Sequence, residues 1–267
     1  MPCTVNRLSR RCVDLQLSVL ESYLEKLEIQ RLLKELRVPD VETLIGEIKH
    51  FTEREADKRD KIVLSYFGEK GVKGITDAVV SELLSPPKLK RNAKILDVGA
   101  ASGFFTVRVA NKVSRYMPDA SFYAMDITPA MLRVLVRKTS DIVPFLGVAE
   151  NIAGSVKCAR RYLRIPKKFD AIFSTLTLHH CLDIEGVFRS IRGALKARGK
   201  AVVVDLCKHP FEEFREEMGD VHLGFDPDWI KVIAGKHFSR VLVEKMPGIC
   251  CESSGRSAEL FIASMSL

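Results

Sequence analysis

The sequence predicts an α/β protein: a seven-stranded, mostly parallel sheet with helices on both faces, an antiparallel last strand, and an N-terminal helical extension. Three observations carry this. Seven apolar runs of strand length follow residue 92, and the first five alternate with helical patterns. The stretch SPPKLKRN at 85–92 joins two prolines to a charge run and separates these from a purely helical start. The last two runs are linked by PGICCESSGRS, which reads as a loop and not as a helix, so they should pair as a hairpin.

In the helical start, Val13, Leu17, Leu20, Leu24 and Leu27 recur at steps of four and three, an apolar stripe on one face of a helix. Asp40 can cap a second helix carrying Leu44, Ile45, Ile48 and Phe51. KRDKIVLSYFGEKG leads to a third, from Ile75 to Leu84. Residues 1–85 are therefore read as a helical extension or cap, packing on the main domain or, as a homodimer surface, on a second copy. Residues 86–267 are the main domain. Its strands are AKILDVG, SFYAMDI, IVPFLGV, FDAIFST, KAVVVDL, HFSRVLVEKM and AELFIASMS. Right-handed crossovers between the first five make a parallel sheet, with a ligand site at the carboxyl ends of the strands.

Composition narrows the classes. The 267 residues carry a formal charge of +8, yet residues 1–60 hold 11 Lys/Arg against 12 Asp/Glu. The excess lies later, and its densest cluster is Lys157, Arg160, Arg161, Arg164, Lys167 and Lys168. Such a cluster permits an anionic partner such as RNA, although a solvated basic surface explains it as well. No apolar window of about 18 residues suggests a membrane span, and MPCTVNRLSRRC has no apolar leader core, so a cytoplasmic protein is expected. Seven cysteines without a CxxC pair argue against a disulfide framework or a zinc knuckle.

The turn ILDVGAASGFF carries the chemistry. Ile95 and Leu96 end a buried strand, Asp97 follows, and Gly99 and Gly103 flank the start of a helix. In a dinucleotide site the middle position needs glycine, so that the backbone can touch a pyrophosphate. Here it is Ala101, which disfavours a nicotinamide oxidoreductase. A ligand without phosphate at that point, such as S-adenosylmethionine, tolerates the methyl group. Its carboxylate can meet the helix N-terminus and its cationic groups can lie near Asp97. Asp126, at the end of the second strand, is placed to accept both hydroxyls of a ribose.

From here the chain resembles the class I S-adenosylmethionine-dependent methyltransferases across residues 93–265, in particular a small-molecule branch with quinone-biosynthesis and arsenite-type enzymes. The matching stretches are ILDVGAASGFFT, AMDITPAML, GVAENI, FDAIFSTLTLHHCLD, IRGALKARGKAVVVDL and, more narrowly, HPFEEFREEMGDVHLGFDP. The resemblance implies a Rossmann-like fold and methyl transfer to a small molecule. It places Asp97, Gly99, Ala101 and Gly103 around the methionine part and Asp126 on the ribose. Ile127 and Met131 fall on the adenine face, Ala149 and Glu150 at the adenine edge, and Thr175 beside the methyl group. Three positions depart from the pattern: Ala101 itself, Val148 where an aspartate is common, and KARGK in place of a Pro-Gly-Gly turn.

His179 and His180, beyond the fourth strand, are the candidate bases for an acceptor that must lose a proton; the alternative is substrate packing. Asp205 and His209, followed by a charged stretch to His222, are read as acceptor contacts or as a solvated helix face, with a metal held by Asp205 and His209 as the least favoured alternative and no metal expected. An arsenite-type reading would need Cys207, Cys250 and Cys251 to converge. An RNA methyltransferase is the alternative function, because DVGAASG also resembles a turn of a ribose methyltransferase family whose Lys-Asp-Lys-Glu tetrad is not found here. A non-catalytic S-adenosylmethionine-binding protein is a further alternative.

Overall fold

The computed structural model describes residues 4–27, 29–36, 41, 42, 45 and 53–267. The strands are β1 Lys94–Val98, β2 Ser121–Asp126, β3 Ile142–Leu146, β4 Phe169–Thr175, β5 Leu195–Leu206, β6 Arg240–Ser253 and β7 Arg256–Ser266. They form one sheet in the order β3-β2-β1-β4-β5-β7-β6. β1 to β5 pair in parallel, and β7 lies antiparallel between β5 and β6. The strand order reverses between β1 and β4, which opens a crevice at their carboxyl ends.

The parallel strands are apolar throughout because helices cover both faces. α1 (Thr4–Lys26), α2 (Ile29–Glu35) and α3 (Glu53–Leu84) precede the sheet, and α4 (Phe104–Val113), α5 (Pro129–Lys138), α6 (Ile152–Ala159) and α7 (Ile184–Ala194) alternate with β1 to β5. α8 (Glu213–Met218) and α9 (Pro227–Gly235) lie between β5 and β6. Local chemistry sets several helix starts. Asn151 and Asp183 accept from the amides of Gly154 and Gly186, and Asp226 with Pro227 opens α9. One core unites Leu20, Leu33, Phe145, Phe169, Ile172 and Phe188; the other unites Ile75, Leu83, Phe104, Val109, Phe173 and Leu260.

The stripe of α1 is used within the chain. Leu20 and Leu27 are buried, the Tyr23 hydroxyl oxygen accepts from the Leu146 amide at 3.1 Å, and Glu21 accepts from Nε and one terminal nitrogen of the Arg133 guanidinium. Leu15 and Val19, on the other face, remain exposed. The expected helix capped by Asp40 falls largely outside the described residues; Ile45 alone of its four apolar positions is described, packed against the core.

Two expectations are corrected. The helix expected from Ile75 begins at Glu53 and is interrupted at Gly68. Its pattern was obscured by glycines, which lower helix propensity but serve packing: a Cβ on Gly74 would meet Ile249 Cδ1 at 2.5 Å, so β6 lies against bare backbone. The link PGICCESSGRS is mostly strand. β6 resumes after an irregularity between Lys245 and Cys250 and runs to Ser253, leaving a two-residue turn at Ser254 and Gly255, both with positive φ. KARGK lies inside β5 as an irregularity of the strand, with Arg198 at φ 64°, and buried Lys200 donates to the carbonyls of Glu82, Leu83 and Ser85 at and just beyond the end of α3.

Candidate functional site

The turn after β1 spends its amides inside the protein. Gly99 and Ala100 both donate to the Met125 carbonyl, at 2.9 and 3.0 Å, and Gly103 donates to Ala100 at 2.8 Å. Ala101 donates to Asp126 Oδ2 at 2.7 Å. A pyrophosphate would find those amides already used. Gly99 has φ +74°, and a Cβ there would sit 2.2 Å from the Thr177 side chain. The glycine thus lets the loop after β4 close on the turn. Ala101 takes φ 45°, a strained conformation for a residue with a side chain.

A cleft of about 440 Å³ opens at this turn. Its walls come from Ala101 of the turn, from Asp126 to Thr128 at the end of β2, from Met131, and from Gly147 to Glu150 after β3. Leu176, Thr177, His180 and Cys181 close the β4 side, and Arg59, Arg215, Glu216, Met218 and Gly219 complete it. Asp126 accepts from Ala101 on one oxygen and from Thr128 on the other, leaving each with further acceptor capacity. Burial pushes its pKa up, and does the same for Glu150.

The loop after β4 is held by Asp205. Its Oδ2 accepts from the Thr177 and Leu178 amides, and its Oδ1 accepts from Leu206 and contacts His179 Nδ1 at 2.6 Å. Although burial works the other way, Asp205 raises the His179 pKa. His180 donates Nδ1–H to the Gly219 carbonyl at 3.1 Å, since a carbonyl only accepts. Burial and then the neighbouring His179 push its pKa well below the usual value. Val221 and His222 donate their amides to the His179 carbonyl, which draws Asp220 over this loop.

Residues 96–201 match a family described as a methyltransferase domain. Over those residues the chain is similar to methyltransferase domains. Malonyl-[acyl-carrier protein] O-methyltransferase 1 of Ilyobacter polytropus is 26% identical over 145 residues, 54% of this chain and 50% of that protein. A fibrillarin-like rRNA/tRNA 2′-O-methyltransferase of Methanosarcina mazei is 28% identical over 146 residues, 52% of this chain and 60% of that protein. The chain spans 31% to 60% of the length of the curated relatives it matches. Among solved structures, Haemonchus contortus phosphoethanolamine N-methyltransferase 2, in complex with S-adenosyl-L-methionine, superposes with a TM-score of 0.58 at 15% identity. The superposition covers 90% of this chain and 60% of that one, and it shares the fold.

Within the matched residues, Gly99, Ala101, Asp126, Ile127, Met131, Ala149, Glu150 and His180 line the cleft. Asp97, Gly103, Thr175 and His179 do not. Asp97 is 1% exposed and accepts from Thr106 Oγ1 at 2.6 Å, its other oxygen has no partner among the described residues, and burial lifts its pKa to about 8. Gly103 gives room to Leu135. Thr175 ends a strand, and Thr177, two residues on, reaches the cleft. Arg59 and Met218 are cleft residues that the sequence reading did not single out, whereas Arg215 and Glu216 belong to the charged stretch read as a possible acceptor contact. Val148, read only as a departure, supplies an apolar wall.

Asp205 and His209 are not joined. Asp205 is committed to the loop, and the His209 ring packs on Phe211 and Phe214. The cysteines do not converge either: Cys207 and Cys250 approach Glu259 of β7 from its two flanking sides. Burial pushes the thiols of Cys207 and Cys251 up to about 11 and about 12, the reverse of reactive. The basic cluster lies at the end of α6 and before β4, at the amino end of the parallel strands, away from the cleft. Within it Arg161 pairs with Glu35 and Arg160 donates to the Ile165 carbonyl.

Proposed function

We propose that this chain transfers the methyl group of S-adenosylmethionine to a small-molecule acceptor held beside the loop after β4. The observation that carries this is the turn whose amides face inward while Asp126 faces the cleft. It suits an adenosine ligand with no phosphate at the turn. The cleft volume falls in the range of small-molecule sites, about 300–1,000 Å³. Asp126 would accept from the ribose hydroxyls; Ile127, Met131 and Val148 offer apolar contact to a base, with Glu150 at its edge. When bound, the cofactor supplies an electrophilic methyl group on a sulfonium. The chain then has to align an acceptor with that group and exclude water, which can account for much of a methyl transfer. Asp97 is one shell behind the turn in this reading, acting through Thr106 and not by direct contact.

Leu176, Met218 and Cys181 give the acceptor side apolar surface, and Arg59, Arg215, Glu216 and His180 give it polar groups. This mixture fits a small polar organic molecule. Untargeted mass spectrometry of metabolites and of RNA digests, from cells with and without the protein, tests the proposal. A metabolite that loses one methyl increment is expected. RNA as acceptor is the second reading, favoured by the fibrillarin-like relative; a modified nucleotide that loses its methyl group would establish it instead. No change in either pool, from a protein that binds the cofactor, would leave the non-catalytic reading.

A further inference from the structure

Behind the cleft wall, His179, His180 and Asp220 each offer a ligand atom within 4.8 Å of the other two. We propose that these three residues hold one divalent transition-metal ion of the zinc class, with an open coordination position toward the cleft.

The two imidazoles are oriented for this. His179 Nδ1 meets the Asp205 carboxylate and His180 Nδ1 donates to the Gly219 carbonyl, so each ring presents the lone pair of Nε2. An acceptor that fixes the far nitrogen of a ligating histidine is the usual support of a metal site. Asp220 is the third ligand. It is 3% exposed, and among the described residues neither of its oxygens has a hydrogen-bond partner. A carboxylate buried that way is costly unless a cation meets it. His179 Nε2 lies 3.6 Å from Asp220 Oδ1, too far for a hydrogen bond. It is close to the ligand-to-ligand spacing of about 3.3–3.5 Å that follows from zinc bonds of about 2.0–2.1 Å in a tetrahedron.

Arg59 acts electrostatically on all three ligands and Arg215 on Asp220, and the carboxylates of Asp220 and Asp205 offset these two charges. Two imidazoles and one carboxylate select a borderline ion over magnesium or calcium, which prefer oxygen. His180 lines the cleft while His179 and Asp220 are buried behind it, so the free position opens on the cleft. An acceptor hydroxyl or thiol could bind there and lose its proton to solvent more readily, with the metal in place of a free His180 base. That use, though not the site, rests on the methyl-transfer reading.

The test uses the full chain stripped by a chelator and titrated with Co²⁺, with S-adenosylhomocysteine binding measured on the same sample. One Co²⁺ per chain, with visible absorption bands of nitrogen and oxygen ligation, is expected. Asp220→Asn should weaken binding by at least about tenfold and Asp205→Asn by about 10- to 100-fold, whereas His237→Ala should leave it unchanged. If Asp220→Asn does not fold, His180→Ala, a half-buried position, takes its place. No stoichiometric Co²⁺ at millimolar concentration in the folded wild type would overturn the site and make Asp220 the counter-ion of a charged His179. Unchanged affinity in a folded Asp220→Asn or His180→Ala would overturn it too. A wild type that binds Co²⁺ but not S-adenosylhomocysteine would support the site while sinking the cofactor reading.

Discussion

Asp126 does two jobs, and its replacement should show both. Its oxygens fix the Ala101 and Thr128 amides, and the same carboxylate faces the cleft. Asp126→Ala should weaken S-adenosylhomocysteine binding about 10- to 100-fold, as expected on losing a charge-assisted contact of about 1.5–3 kcal/mol. Calorimetry on a variant of native circular dichroism checks this, and an unchanged dissociation constant would place the ribose elsewhere. Gly99→Ala should destabilise the fold by about 1–2 kcal/mol from its left-handed backbone alone, and more through the clash with Thr177. Adding Thr177→Gly should recover part of the lost melting temperature; no recovery would mean that Thr177 is not what the glycine accommodates. Asp97 yields a pH dependence. Burial raises its pKa to about 8, so the folded protein keeps a proton that an unfolded aspartate gives up near about 4. Its contribution to stability is full below that lower value and is lost as pH rises through about 8. Asp97→Asn should therefore flatten the fall of melting temperature between about pH 5 and 8, and an unaltered slope would contradict the shift.

At the scale of elements, the strands were legible because parallel strands covered on both faces read as short apolar runs, and KILDV and FDAIFST stand out on that basis alone. Helix α3 was not, since its glycines serve contact with β6, a partner about 180 residues away that no local window contains. The hairpin was legible in kind but not in extent: the signal for its turn lay in Ser254–Gly255, inside what read as a longer loop. The candidate site divides the same way. Asp126 ends β2, Ala101 lies in the turn after β1 and Arg215 falls in the charged stretch after β5, and all three could be read, whereas Arg59 arrives from outside the alternating region. Among the described residues of the first 85, Arg59 is the one that lines the cleft, so α1 and α2 are proposed to support β3 and α5 and not to touch cofactor. Tyr23→Phe removes the acceptor of the Leu146 amide and should cost about 1 kcal/mol, or about 2–4 °C in melting temperature, with cofactor affinity unchanged. A shift in affinity at constant stability would tie α1 to the site.

For the whole molecule, the sheet divides its two ends between different tasks. The carboxyl ends carry the cleft, and the amino end of β4 carries the basic cluster. Reversing Lys157, Arg164 and Lys168 to glutamate should therefore leave cofactor binding and acceptor methylation nearly intact. A steep, salt-dependent loss of activity on RNA would favour the second reading. Among the described residues no helix is long and apolar enough to cross a membrane. The central claim is that this fold holds S-adenosylmethionine and not a dinucleotide, because the turn amides of Gly99, Ala100, Ala101 and Gly103 are spent within the chain. Calorimetric titration of the full chain with S-adenosylmethionine, its demethylated product and a nicotinamide dinucleotide tests this most directly. Saturable binding of the first two at one per chain, with none of the third, is the predicted result; binding of the dinucleotide with neither of the others would contradict it.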